Sequence, residues 1–269
     1  MQIPPSTTSV PGFEAEGPAP PPRLLPAGEG AAWWGESWRI FCAAPLPWIG
    51  MFVVFVVLSI ALSFLPIIGQ PIYVVLTPVF AGGVMLGCHA LARGEPLTVG
   101  HLFEGFRKPR LQPLLMLGLL SLAIMFAIAV FAAGTIFLAL GASSLGEIAR
   151  VLNSADVASV DYLALAQAVA AAGPTILLVC LIAISAALLV AMAYWFAPAL
   201  VALNGEPPFS ALSKSFAGSW RNFGAFLLYG LIYIGLALAA TIPVGLGWLV
   251  LGPMLGGSCY AGWRTIYGR

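Results

Sequence analysis

The stretch Gly94-Glu95-Pro96-Leu97-Thr98-Val99-Gly100-His101-Leu102-Phe103-Glu104-Gly105-Phe106-Arg107-Lys108-Pro109-Arg110 decides how this chain is read. It separates two long apolar runs and holds three of the eleven Lys and Arg within four residues. A second version opens as Gly205-Glu206-Pro207 and continues to Lys214, Phe216 and Arg221. Charge is costly in hydrocarbon, so each island belongs beside a membrane and the runs between them belong inside it.

Composition agrees. Of 269 residues, 61% are hydrophobic and 8% charged, with mean hydropathy +1.00. Soluble domains carry about 25% charged residues. The fold class expected is all-α: a polytopic membrane protein with six transmembrane helices, arranged as three hairpins with short amphipathic interfacial helices. A net charge of +1, with Lys and Arg scattered, argues against a nucleic-acid partner. Cys42, Cys88, Cys180 and Cys259 form no CxxC pair and read as reduced, buried thiols.

Residues 1–30 hold eight prolines: Pro4, Pro5, Pro11, Pro18, Pro20, Pro21, Pro22 and Pro26. Such a segment buries little apolar surface, so it reads as a disordered cytoplasmic tail ahead of a membrane domain at 31–269. It lacks the basic start and apolar core of a signal peptide. Trp34, Trp38 and Phe41 then share one face at helical spacing, with Glu36 and Arg39 elsewhere. This predicts a short helix lying at the headgroups.

The spans expected are Leu46–Leu65, Ile72–Leu91, Leu114–Leu140, Thr175–Leu200, Phe223–Ile242 and Leu246–Ile266. Each has the length that ~30 Å of hydrocarbon requires. Pro78 and Pro253 fall mid-span and predict local kinks. Gly141 to Ala171 reads as a longer outer linker with Glu147, Arg150, Asp156 and Asp161. With six crossings, Arg23, Arg39, Arg93, Arg107, Lys108, Arg110, Lys214, Arg221, Arg264 and Arg269 share one side, and Arg150 alone takes the other. The positive-inside rule then puts both termini in the cytoplasm.

An internal repeat is visible. Ser37-Trp38-Arg39-Ile40-Phe41 returns as Ser219-Trp220-Arg221-Asn222-Phe223. Gly83-Val84-Met85-Leu86-Gly87 answers Gly252-Pro253-Met254-Leu255-Gly256. Both copies enter from the same side, so the repeat is parallel. The glycine pairs Gly83, Gly87 and Gly252, Gly256 permit close helix packing, within the chain or in a homodimer. Gly-Glu-Pro has a structural job: Gly stops one helix and Pro starts the next.

Chemistry is sparse. The spans hold no Asp, Glu, Lys or Arg well inside them. His89 beside Cys88 lacks the further ligands a metal site needs. No acid–base pair, nucleophile or phosphate-binding Gly loop stands out. The expectation is no catalytic site, no cofactor and no metal.

The Trp-Arg entry helix, the Pro–Gly turn Pro66-Ile67-Ile68-Gly69, and the Gly-Glu-Pro connectors leading to Leu102–Phe106 and Leu212–Phe216 together resemble a proteobacterial six-span integral membrane protein family of unknown function. The likeness covers about Trp33 to Arg269. It is similar to YciC-like inner-membrane proteins and, more distantly, to the membrane domain of some glycerophosphodiester phosphodiesterases. The resemblance implies a bacterial inner membrane and no established activity. The sequence shows no soluble phosphodiesterase domain, so that activity does not follow.

The function expected is a non-enzymatic membrane or envelope factor. Arg39, Arg107, Lys108, Arg110, Lys214 and Arg221 would meet anionic phospholipid headgroups, with a membrane protein partner or a homodimer as the other course. The alternative is a transporter of a small uncharged or amphipathic substrate, with Pro78 and Pro253 beside a midplane cavity. A lipid-modifying enzyme is the weakest reading.

Overall fold

A computed structural model describes residues 17–153 and 162–268. Residues 1–16, the linker carboxylates Asp156 and Asp161, and Arg269 lie outside the described residues. The described chain is all helix: α1 (Glu29–Ala43), α2 (Pro45–Ser63), α3 (Gly69–Ala92), a 3-10 helix (Val99–Phe106), α4 (Leu111–Asn153), α5 (Tyr162–Tyr194), α6 (Ala197–Asn204), α7 (Pro208–Arg221), α8 (Phe223–Thr241) and α9 (Trp248–Tyr267).

Among the described residues, five segments are long and apolar enough to cross a membrane: Pro45–Ser63, Gly69–Ala92, Leu111–Leu138, Gly173–Asn204 and Phe223–Thr241. α9, expected as a sixth, is not among them. Its 20 residues suffice in length, but Gly252, Pro253, Gly256, Gly257 and Ser258 dilute its apolar character.

The breaks have local causes. Pro45 cannot continue α1, so Ala44 turns out of the helix (φ −152°, ψ 64°) and α2 begins on the proline. Gly94 and Gly205 end α3 and α6 at φ 78° and 68°, which suits residues without a Cβ. Pro198 has no N–H for the Tyr194 carbonyl, and the fourth apolar run breaks at Trp195–Phe196. Two buried serines of α7 bridge that break. Ser215 Oγ accepts the Phe196 N–H at 3.0 Å and donates to the Met192 carbonyl at 2.9 Å. Ser219 Oγ donates to the same carbonyl at 3.1 Å. α4 continues to Asn153 where a linker was expected, because no proline interrupts the chain between Pro113 and Asn153.

α3 is the central rod. Of its apolar stretch 61% is buried, against 11–17% for the other four segments. It packs on α2, the 3-10 helix, α4, α6 and α9. A Cβ at Gly105 or Gly118 would overlap the α3 carbonyls of Val79 and Val75, so the 3-10 helix and α4 meet α3 backbone to backbone.

The face of α1 differs from expectation. Trp33, Trp34 and Phe41 are buried and Trp38 turns outward. Trp34 stacks on Tyr229 of α8 with ring centroids 4.7 Å apart, and its indole N–H donates to the Tyr229 carbonyl at 3.2 Å. Trp33 Nε1 donates to Thr265 Oγ1 of α9 at 3.0 Å. These indoles have partners inside the protein, and α1 wedges against α8 and α9 instead of only resting on headgroups.

Candidate functional site

One end of the bundle gathers the connectors. α8 starts there, where Asn222 Oδ1 accepts the Leu25 N–H at 2.8 Å, and α9 returns there, where the Ile266 carbonyl accepts the Arg23 N–H at 3.1 Å. Arg110 Nε donates to the Ala202 carbonyl at 3.1 Å and ties the first basic connector to the end of α6. Tyr267 Oη donates to the Lys214 carbonyl at 2.6 Å and ties α9 to α7.

The predicted headgroup cations divide into two groups. Arg39, Arg107, Lys108 and Arg221 are exposed. Arg39 pairs with Glu36 at 3.1 Å, and Arg107 with Glu104 at 3.1 Å. Arg264 also reaches Glu36, at 2.8 Å. Arg110 and Lys214 instead turn partly inward. Each exposed cation has an exposed aromatic nearby in sequence. Trp38 stacks on Phe41 at 5.9 Å, Trp220 stacks on Phe216 at 6.0 Å, and Phe103 lies one helical turn before Arg107. The two Ser-Trp-Arg copies behave alike. Ser37 and Ser219 are fully buried, each donating to a methionine carbonyl, Met254 and Met192, while the Trp and Arg face out.

The second Gly-Glu-Pro holds a feature that its spacing did not announce. Glu95 is exposed and lies 3.6 Å from Arg93. Glu206, in the equivalent place, is buried. It pairs with Lys214, accepts the Ser210 hydroxyl at 2.6 Å, and accepts the Ala19 N–H at 2.9 Å. Burial by itself pushes its carboxyl upward. The Lys214 ammonium, the Ser210 hydroxyl and the Ala19 amide outweigh that and hold it below its ordinary value. Residues 17–28, which composition assigns to the tail, thus lie against the bundle. Asn204 Nδ2 donates to the Gly17 carbonyl at 3.1 Å, and Asn222 Nδ2 to the Arg23 carbonyl at 2.9 Å.

The remaining predicted residues are packing positions. Gly83 faces the main-chain carbonyls of His101 and Leu102, and Gly87 faces the side chains of Leu97 and His101. Gly252 takes the Phe52 ring of α2, and Gly256 takes Val84 of α3. Pro78 and Pro253 are buried inside α3 and α9. His89 is buried inside the protein, with Nδ1 3.4 Å from Tyr260 Oη. Among the described residues no three His, Cys, Asp or Glu converge as metal ligands.

A probable inner membrane protein of Burkholderia thailandensis is 33% identical to this chain over 245 residues, covering 87% of this chain and 82% of the relative. The chain belongs to that inner membrane family. No family model matches it, and no solved structure matches it. Family membership and the five apolar segments make this an integral inner membrane protein with a lipid bilayer as its surroundings.

Proposed function

We propose that this chain is a non-enzymatic factor of the bacterial inner membrane that holds anionic phospholipid headgroups at its connector end and supports envelope organisation. The observation that carries this reading is the exposure of an aromatic and a cation close together in sequence on three separate segments: Trp38 and Arg39, Phe103 with Arg107 and Lys108, and Trp220 and Arg221. Indole and phenyl rings favour the headgroup level, and each cation near an anionic surface contributes about 1 kcal/mol. In this reading α9 is the sixth crossing, the helices form three hairpins, and both termini are cytoplasmic. The common end shared by the start of α8 and the finish of α9 supports it, as does the cation imbalance between connectors.

The test is lipid counting by native mass spectrometry on detergent-purified protein titrated with phosphatidylglycerol or phosphatidylcholine. The wild type should retain phosphatidylglycerol preferentially. Arg39→Gln, Arg107→Gln, Lys108→Gln and Arg221→Gln together should remove that preference, at roughly fivefold in affinity per charge. Raised salt should weaken it in the wild type. Equal retention of both lipids by wild type and variant would end the proposal.

A further inference from the structure

The hydrogen bonds between residues 17–25 and the bundle all use the segment's main chain, and its Ala19 and Leu25 side chains pack on the core. The Gly17 carbonyl, both groups of Ala19, both groups of Arg23 and the Leu25 N–H are all used. These bonds fall at residues 17, 19, 23 and 25, on either side of Pro20-Pro21-Pro22. Pro18, Pro20, Pro21 and Pro22 take positions that donate nothing to the bundle, where a missing N–H costs no bond. Side-chain burial is uneven: Ala19 is buried and Leu25 packs partly buried on the core, while Pro18, Arg23 and Leu24 stay exposed.

Each polar side chain of the support keeps a bond that does not involve the segment. Glu206 keeps Lys214 and Ser210. Asn204 Oδ1 accepts the Trp263 indole N–H at 2.9 Å. Asn222 Nδ2 also donates to the Gly218 carbonyl at 2.9 Å. Each polar side chain of the support is thus oriented by a bond within α6, α7 or α9 and offers a further group to the segment. Removing the segment would leave Asn204 Nδ2 and Asn222 Oδ1 to water, while the bonds that orient the side chains remain. Receptor and ligand are therefore separable, as in a peptide-binding groove.

We propose that Asn204, Glu206, Lys214 and Asn222 form a preformed groove that reads the main chain of a proline-interrupted peptide, and that its resident ligand is this chain's own segment 17–25, held as a displaceable strap. The proposal is independent of the lipid reading, because it concerns the polar inner side of α7 and not its exposed Phe216, Trp220 and Arg221.

The test uses full-length protein in detergent and a fluorescent peptide of residues 17–27. Ala19→Pro with Leu25→Pro removes two donors from the strap and leaves the groove untouched. That double variant should bind the peptide in trans roughly tenfold or more tightly than the wild type does. Adding Asn222→Leu should abolish the gain. No gain, with helicity and elution as in the wild type, overturns the proposal. Hydrogen exchange on the wild type decides if the variant fails to fold. Exchange at Ala19, Arg23 and Leu25 roughly tenfold faster than in α7 supports a strap, and exchange in step with α7 makes the segment an ordinary part of the fold and overturns it. A wild-type dimer that the double variant dissolves would assign the groove to a second copy's segment and overturn the assignment in cis.

Discussion

Glu206 shows how far one residue's surroundings outrun its motif. It and Glu95 sit in the same tripeptide, yet one is buried and ion-paired and the other is exposed. The helix-stopping role of the glycine was legible, because it depends only on local backbone. The fate of the glutamate was not, because residues nearly 190 positions away cover it. Its folded carboxyl is held below its ordinary value. The stabilisation it adds is therefore fully present above the unfolded value of about 4.3, and it is lost as pH falls through the lowered folded value. The thermal midpoint of the wild type should exceed that of Glu206→Gln at neutral pH, with the gap closing only below the usual carboxylate range. A gap that closes near pH 6 would contradict this account. Ser215 makes a second residue-scale case. Ser215→Ala leaves the buried Phe196 N–H without its acceptor and should cost about 1–3 kcal/mol. Ser219→Ala should cost less, because Met192 keeps its bond from Ser215. Thermal melts in detergent that rank the two alanine variants the other way round would refute the bridging role.

At the scale of elements, hydropathy marks the helices that face lipid and understates those that face protein. α2, α8 and the apolar parts of α4 and α5 are greasy all round, and little of each is buried. α9 is buried through Leu251, Met254, Gly257, Tyr260, Ala261 and Trp263, so close approach matters more there than apolar bulk. Its glycines were visible in the sequence, but their neighbours were not. Gly83 meets rigid main chain of the 3-10 helix, whereas Gly252 meets the ring of Phe52. A carbonyl anchored in a helix cannot step aside, while a phenyl ring can change rotamer. Gly83→Ala should therefore destabilise by about 1–3 kcal/mol, the cost of overpacking, and Gly252→Ala by less. Equal losses in thermal midpoint would show that the 3-10 helix yields as easily as a side chain. α1 teaches the complementary lesson. Its tryptophans suggest headgroups by residue type alone, yet Gly30 lets α1 approach the α8 backbone near Ala225, and the indoles then find partners inside.

For the whole molecule, the distribution of cations and the two far turns make one claim about topology. α2 has 19 residues, as does α8, so at about 1.5 Å per residue each is roughly 28 Å long, close to the hydrocarbon thickness. The α2–α3 and α8–α9 turns each contain a β-branched residue with positive φ, Ile67 at 68° and Val244 at 55°. Both side chains are almost fully exposed, at 93% and 97%. Such residues resist that backbone region, so both turns are tight. Neither turn carries a charge, whereas the opposite end carries Arg107, Lys108 and Arg221. In the proposed topology the turns lie on the outer face and the cations on the inner one. In a background without native cysteines, a membrane-impermeant maleimide applied to intact cells should label Ile67→Cys and Val244→Cys but not Lys108→Cys. Opening the cells should make Lys108→Cys reactive. Labelling of Val244→Cys and Lys108→Cys from the same side would mean that α8 and α9 do not both cross, which would undo the sixth span and the assignment of the connector end to the cytoplasm together.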